Sequence, residues 1–471
     1  MRVRQFVDEG LGNSAHLVIS ERDGVAALID PLRDVDQYQA AARRESVRIT
    51  HVLETHIHND FLSGSRELAA LTGARIVASA DAGLEFDHQP VHDGDIVTIG
   101  DVVITVLATP GHTPEHVSFL ARDTSRPEEP AVLFSGGSLL VGAVSRTDLL
   151  GHEHATGLAH QLYNTLHTKI LPLGDDVIVH PTHGAGSFCT AAAAAESTTT
   201  IGRERRGNPF LTLPDQQAFT DRLMASMPSF PNYFLNMRSV NKRGPRVLGQ
   251  LPTLVPLTPD DVQARHRAGD AVVDMRSVHE YARGHIRGVY HVELRPAFAS
   301  WVGWVVPFGT PVILVSDSTE VHEYTVRQLI RIGYDDLPGY LEGGMAAWKR
   351  AGLPVEQVPV FTMRDVRLRL ERGEQLVVVD VRQAHEWATG HIPRAEMLEA
   401  GALPKADLHL PHDRVIATHC GHGQRAATGL SVLEHRGYRN LAVITEGIDQ
   451  WRTAGGDVEQ GAPSDRQAAQ V

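Results

Sequence analysis

Short apolar runs separated by glycine, proline and polar turns recur along the whole chain, and their lengths suit strands. In the N-terminal part the runs Ala15–Ser20, Val25–Asp30, Ile49–Glu54, Val102–Leu107, Ala131–Phe134 and Asp176–Val179 read as strands. Ser65–Thr72 reads as a helix, as does Thr190–Arg206 with its alanine run. Near the C-terminus the run Val415–Thr418 predicts a buried strand and Ala426–His435 a helix.

The C-terminal half repeats itself. Val273-Asp274-Met275-Arg276, Glu280 and Gly284-His285-Ile286 recur as Val379-Asp380-Val381-Arg382, Glu386 and Gly390-His391-Ile392, all at an offset of 106. Gly344 and Trp348 recur as Gly447 and Trp451 at an offset of 103. A repeat of that length is a domain, and its strand–helix alternation predicts a parallel sheet covered on both faces. Arg276, Glu280, His285 and their counterparts read as structural hydrogen-bonding groups.

Chemistry enters with Cys420-Gly421-His422-Gly423-Gln424-Arg425, which joins the predicted strand to the predicted helix. Glycines let backbone N–H groups turn inward, and a helix N-terminus adds positive potential. Both favour thiolate, so Cys420 is expected to be nucleophilic near neutral pH. With Asp-x-Arg, Gly-His-Ile and Gly-x3-Trp, this loop resembles the rhodanese family over residues 255–461. The resemblance implies that Cys420 accepts a sulfane sulfur and Arg425 steadies the anion. The Gly421, His422, Gly423 and Gln424 backbone would form the cradle. The first copy has Val315-Ser316-Asp317 where the second has Thr418-His419-Cys420. It is therefore expected to be inactive.

The N-terminal part carries three histidine clusters, each at a predicted strand end: His56-Ile57-His58-Asn59-Asp60, Gly111-His112-Thr113 and Thr182-His183-Gly184. Imidazoles so placed can converge on one ion, and neutral imidazole suits zinc or iron. Together they resemble the metallo-β-lactamase superfamily over residues 1–200, and the whole chain resembles the persulfide dioxygenase–rhodanese fusions. The implied fold is α/β, an αββα sandwich followed by two rhodanese-like parallel-sheet domains. The expected divisions are 1–210, a connector at 211–254, domains at 255–357 and 358–461, and a polar tail at 462–471.

The resemblance implies a mononuclear Fe(2+) site using His56 and His112, with Zn(2+) as the alternative. The family's last motif histidine is Phe61 here, which speaks against a dinuclear zinc hydrolase. The family's aspartate ligand falls on Gly137, which has no side chain to offer. Asp60, His183, Asp148 or His58 could complete the site, or the metal domain could be weakened or non-catalytic. Arg146, in a Ser-Arg-Thr-Asp run, could bind a carboxylate of a thiol carrier or form a surface salt bridge.

The implied function is iron-dependent oxidation of a low-molecular-weight thiol persulfide to sulfite, coupled to transfer through Cys420 that gives thiosulfate. The alternatives are a sulfurtransferase with a non-catalytic metal domain, or a thioester hydrolase with an accessory rhodanese. A net charge of −13 argues against nucleic acid and anionic membrane partners. Only Cys189 and Cys420 occur, in different predicted domains, so a reducing cytoplasmic setting is expected. The oligomeric state stays open, a homo-oligomer included.

Overall fold

The computed structural model describes residues 1–190 and 196–462. Two compact units account for them: Met1–Met227 with Phe234–Leu251 and Ile330–Gly333, and Pro228–Tyr233 with Pro252–Leu329 and the residues from Tyr334 on.

In the first unit, one six-stranded sheet follows chain order through Arg2–Asp8, Asn13–Ser20, Val25–Ile29, Arg48–Leu53, Arg75–Ser79 and Gln89–Val91. The other runs in reverse, from Thr199–Thr200 through Ile178–Pro181, Val132–Gly136, Val117–Asp123 and Val102–Ala108 to Ile96–Ile99. Alternation sets the layers. Val18, Ala27 and Ile29 point to a core shared with Ile104, Val106, Phe119 and Phe134 of the opposite sheet. Leu17, Ile19 and Leu28 point the other way, against Tyr38 and Ala41 of helix Asp36–Arg44 and Leu68 of helix Ser65–Thr72. Leu133 and Val179 likewise meet Leu162 of helix His152–Thr165, and Phe219 and Leu223 of helix Gln216–Ala225. The result is the αββα sandwich.

Thr190–Arg206 does not form one helix. Residues 191–195 lie outside the described ones, Thr199–Thr200 pairs antiparallel with Ile178 and Val179, and only Ile201–Gly207 is helical. Consecutive β-branched threonines suit a sheet edge better than a helix interior. Within the expected connector, Phe234–Arg243 is also helical. Past Ala462 the expected tail lies outside the described residues.

The second unit holds two five-stranded parallel sheets of matching order. One runs Pro256–Leu257, Gly339–Leu341, Val312–Val315, Ala271–Asp274, Tyr290–His291. The other runs Val360–Phe361, Leu441–Ile444, Val415–His419, Leu376–Asp380, Glu396–Met397. The repeated polar residues do repeated structural work. Arg276 bonds Asp274 and the Gly284 carbonyl, as Arg382 bonds Asp380 and that of Gly390. Glu280 and Glu386 each close a capping box. Among the described residues no helix is long and apolar enough to cross a membrane.

Candidate metal centre and sulfur-transfer loop

The histidine clusters leave strand ends of the two facing sheets and meet in one buried pocket. His56, His58, His112 and His183 are all buried. Ring centroids lie 4.8 Å apart for His56 and His112, and 5.3 Å apart for both His56–His183 and His112–His183. Each of these three rings is tied through Nδ1: His56 to Thr55 Oγ1 at 2.9 Å, His112 to the Arg146 carbonyl at 2.7 Å, His183 to Asn13 Oδ1 at 3.0 Å. Such ties fix the ring and leave Nε2 for a metal. The Nε2 atoms of His56 and His183 stand 3.4 Å apart, and that of His112 is buried without a hydrogen-bond partner. Burial, reinforced by neighbouring imidazoles, lowers His112 to about 3 and His56 well below its ordinary value. Both are thus neutral, the ligating form.

His58 is held differently. Its Nε2 lies 3.4 Å from Asp30 and 3.2 Å from Glu54. Burial alone would lower this imidazole, but the two carboxylates outweigh it and hold it up at about 10. Asp30 sits at φ +48° and also accepts from the Thr55 N–H and from the Thr55 and Thr182 hydroxyls, so it gathers two of the ligand loops. Asp60 lies with Oδ2 3.2 Å from His183 Nδ1, behind that ring.

At the other site, Cys420 follows the central strand Val415–His419 and precedes helix Gln424–His435. The Gly423 N–H points at Sγ from 3.2 Å. Gly423 has φ +90°, which a side chain would resist. Arg425 forms a bidentate pair with Glu386 at 2.5 and 2.8 Å, while His422 is exposed. Arg295, from the first copy, lies within electrostatic reach of Cys420 and Arg425. That copy also grips the helix: the Ser431 hydroxyl accepts from the His291 N–H at 2.9 Å, and Glu434 accepts from the Gly288 N–H at 2.8 Å and faces His285 at 3.3 Å. Asp317 occupies the first copy's loop and offers no thiol.

Residues 8–183 match the family model "Metallo-beta-lactamase superfamily", and residues 258–351 and 362–454 match "Rhodanese-like domain". Human mitochondrial persulfide dioxygenase ETHE1 is 33% identical over 213 residues, 45% of this chain and 76% of that protein. The chain belongs to the persulfide dioxygenase–rhodanese fusion family. That membership puts it in sulfur metabolism. The chain is also similar to hydroxyacylglutathione hydrolase from Polaromonas, 32% identical over 46% of this chain and 83% of that one. A solved metallo-β-lactamase structure from Staphylococcus aureus superposes on the fusion with a TM-score of 0.66 at 31% identity, covering 72% of this chain and 98% of that one.

Several expectations for this fusion chain change in the structure. Arg146 is neither a surface residue nor free to bind a carrier. It is buried, its guanidinium bonds Asp148 at 2.7 and 2.8 Å, and its Nη1 donates to the Phe188 carbonyl at 2.9 Å. Asp148 is thereby committed to Arg146, its partner two residues away. Gly137 has ordinary φ; the left-handed residue is Gly136, at +56°. A Cβ on Gly137 would stand 2.5 Å from His112 Cδ2, so the vacant carboxylate position is filled by the His112 ring. Phe61 stacks on His58, centroids 4.1 Å apart.

The sequence reading missed Asp30, Glu54, His116 and Cys189. His116 uses both nitrogens, to Thr109 Oγ1 and the Gly137 N–H, each at 2.9 Å. Cys189 is fully buried, and burial, then the Asp60 carboxylate, push its thiol well above the usual range. The available signal was the small-residue run Gly184-Ala185-Gly186-Ser187 between His183 and Cys189, which can fold the chain back.

Proposed function

We propose that the chain oxidises a low-molecular-weight thiol persulfide to sulfite at an iron site in the sandwich and transfers sulfane sulfur through Cys420, releasing thiosulfate. The observation that carries this reading is the presence in one chain of three buried imidazoles gathered in one pocket and a thiol at a helix N-terminus. The ring ties and the unpartnered His112 Nε2 fit a bound metal, held by His56, His112 and His183, with His58 beside them. Iron there would supply oxygen activation. Beside His56 and His58 lies a small apolar cavity of about 20 Å³, walled by Ile57, Ala78, Leu84 and Phe86.

The stoichiometry closes. Persulfide, dioxygen and water give thiol, sulfite and two protons. At the second site the Cys420 thiolate attacks the sulfane sulfur of another persulfide, the S–S bond breaks, and the carrier leaves as thiol. The Gly423 N–H steadies charge at Sγ, and Glu386 fixes the Arg425 guanidinium beside it. Sulfite then takes the outer sulfur, leaving as thiosulfate and restoring the thiolate.

Gly137 favours a second reading, in which the sandwich binds metal without oxidising and the chain is a sulfurtransferase. A thioester hydrolase is disfavoured, since Phe61 stands where a dinuclear site needs a histidine. Oxygen uptake by the iron-loaded chain with a synthetic thiol persulfide separates these. About one iron per chain is expected, with uptake lost in His56→Ala. In Cys420→Ser uptake persists while thiosulfate formation disappears. Cys420-dependent transfer without any oxygen uptake would establish the second reading.

A further inference from the structure

We propose that Cys189 is a metal ligand, its thiolate joining the imidazoles of His112 and His183 and supplying the anionic donor that Gly137 cannot. The inference rests on the reading of this pocket as a metal site. Ligand atoms of His112, His183 and Cys189 all lie within 4.8 Å of one another, and all three residues are fully or almost fully buried. An independent observation points the same way: His112 Nε2 is buried with no hydrogen-bond partner.

The thiol is placed, not incidental. After His183 the chain turns through Ser187 N–H to the Gly184 carbonyl at 3.1 Å and Cys189 N–H to Ser187 Oγ at 3.1 Å. Gly12 lets this segment approach, since a Cβ there would stand 2.1 Å from Ser187 N. Arg146 then locks two members of the set together. Its carbonyl accepts from His112 Nδ1, and its N–H donates to the Cys189 carbonyl at 3.0 Å. The buried guanidinium holds the neighbouring Phe188 carbonyl. A structural cysteine sits among apolar side chains, whereas this one faces imidazoles and lies within electrostatic reach of the Asp60 carboxylate. Asp60 backs His183 from the Nδ1 side, the place of a supporting carboxylate. Metal binding would expel the thiol proton, as it does for coordinating cysteines.

The test uses the full chain carrying Cys420→Ser, which leaves Cys189 as the sole thiol. Loaded with cobalt(II) alone, this protein should show a thiolate-to-cobalt charge-transfer band in the near ultraviolet. Adding Cys189→Ser or Cys189→Ala should abolish the band and weaken cobalt binding by about 100-fold. The band is read in the protein that keeps Cys189, so it stays decisive if those variants fold poorly. Stoichiometric cobalt without the band would overturn the ligand role while leaving the histidine site intact. Absence of cobalt binding altogether would overturn the metal reading and this inference with it.

Discussion

Gly137 shows how one missing side chain redistributes a site. The His112 ring occupies the space, and a Cβ there would fall 2.9 Å from its Cγ as well. Overpacking of this kind costs about 1–3 kcal/mol. Gly137→Asp is therefore expected to lower thermal stability and metal occupancy, because His112 must move, although it restores the family's ligand type. Gly137→Ala separates the two effects. Titration with cobalt should show both variants weaker than the parent by about tenfold, and an aspartate variant that binds more tightly than the parent would sink the steric account. The sequence identified the histidines because motif spacing survives in one dimension. Cys189 was invisible because nothing local says that a cysteine six residues past His183 folds back beside His112. Arg146 was misplaced for a related reason: charge predicts exposure, but Asp148 and a carbonyl neutralise it indoors.

At the level of elements, amphipathic pattern and turn residues located helix Ser65–Thr72 as it stands, and placed the helix after Cys420 to within two residues of its start at Gln424. The closing segment before Arg206 was legible only in part, since edge pairing by Thr199 and Thr200 is a tertiary event. Comparing the repeated strands yields a pH prediction. His291 occupies the edge-strand position that Met397 fills in the second copy, paired with Asp274 as Met397 is with Asp380. Burial lowers the His291 imidazole to about 4 from its ordinary 6.5. The folded unit keeps it neutral while the unfolded chain takes up a proton, so stability falls as pH drops from about 6.5 towards 4. His291→Met retains the backbone N–H that Ser431 accepts and removes this titration. Unfolding measured at about pH 7 and pH 5 should show the gap between them narrowed by about 2 kcal/mol. An unchanged gap would mean that His291 does not titrate in this window.

For the whole molecule, the proposed function has two reaction centres on one chain share an intermediate, whose effective concentration covalent linkage would raise. Equimolar His56→Ala and Cys420→Ser chains contain one working copy of each site. At submicromolar protein their mixture should form thiosulfate at least about tenfold more slowly than the intact chain. Equal rates would show that sulfite and persulfide travel freely and that fusion confers no kinetic benefit. The grip of the first rhodanese copy on the helix behind Cys420 carries a different consequence, for the history of the gene. A duplicate without the loop cysteine is ordinarily free to diverge. This one is free only in part: the loop around Asp317 carries no thiol, whereas Gly288 and His285 answer to Glu434 in the copy that carries Cys420. Selection for a thiol in one half is thereby written as selection for a surface in the other, and drift in this family should be fast at the first loop and slow at the face that holds the second.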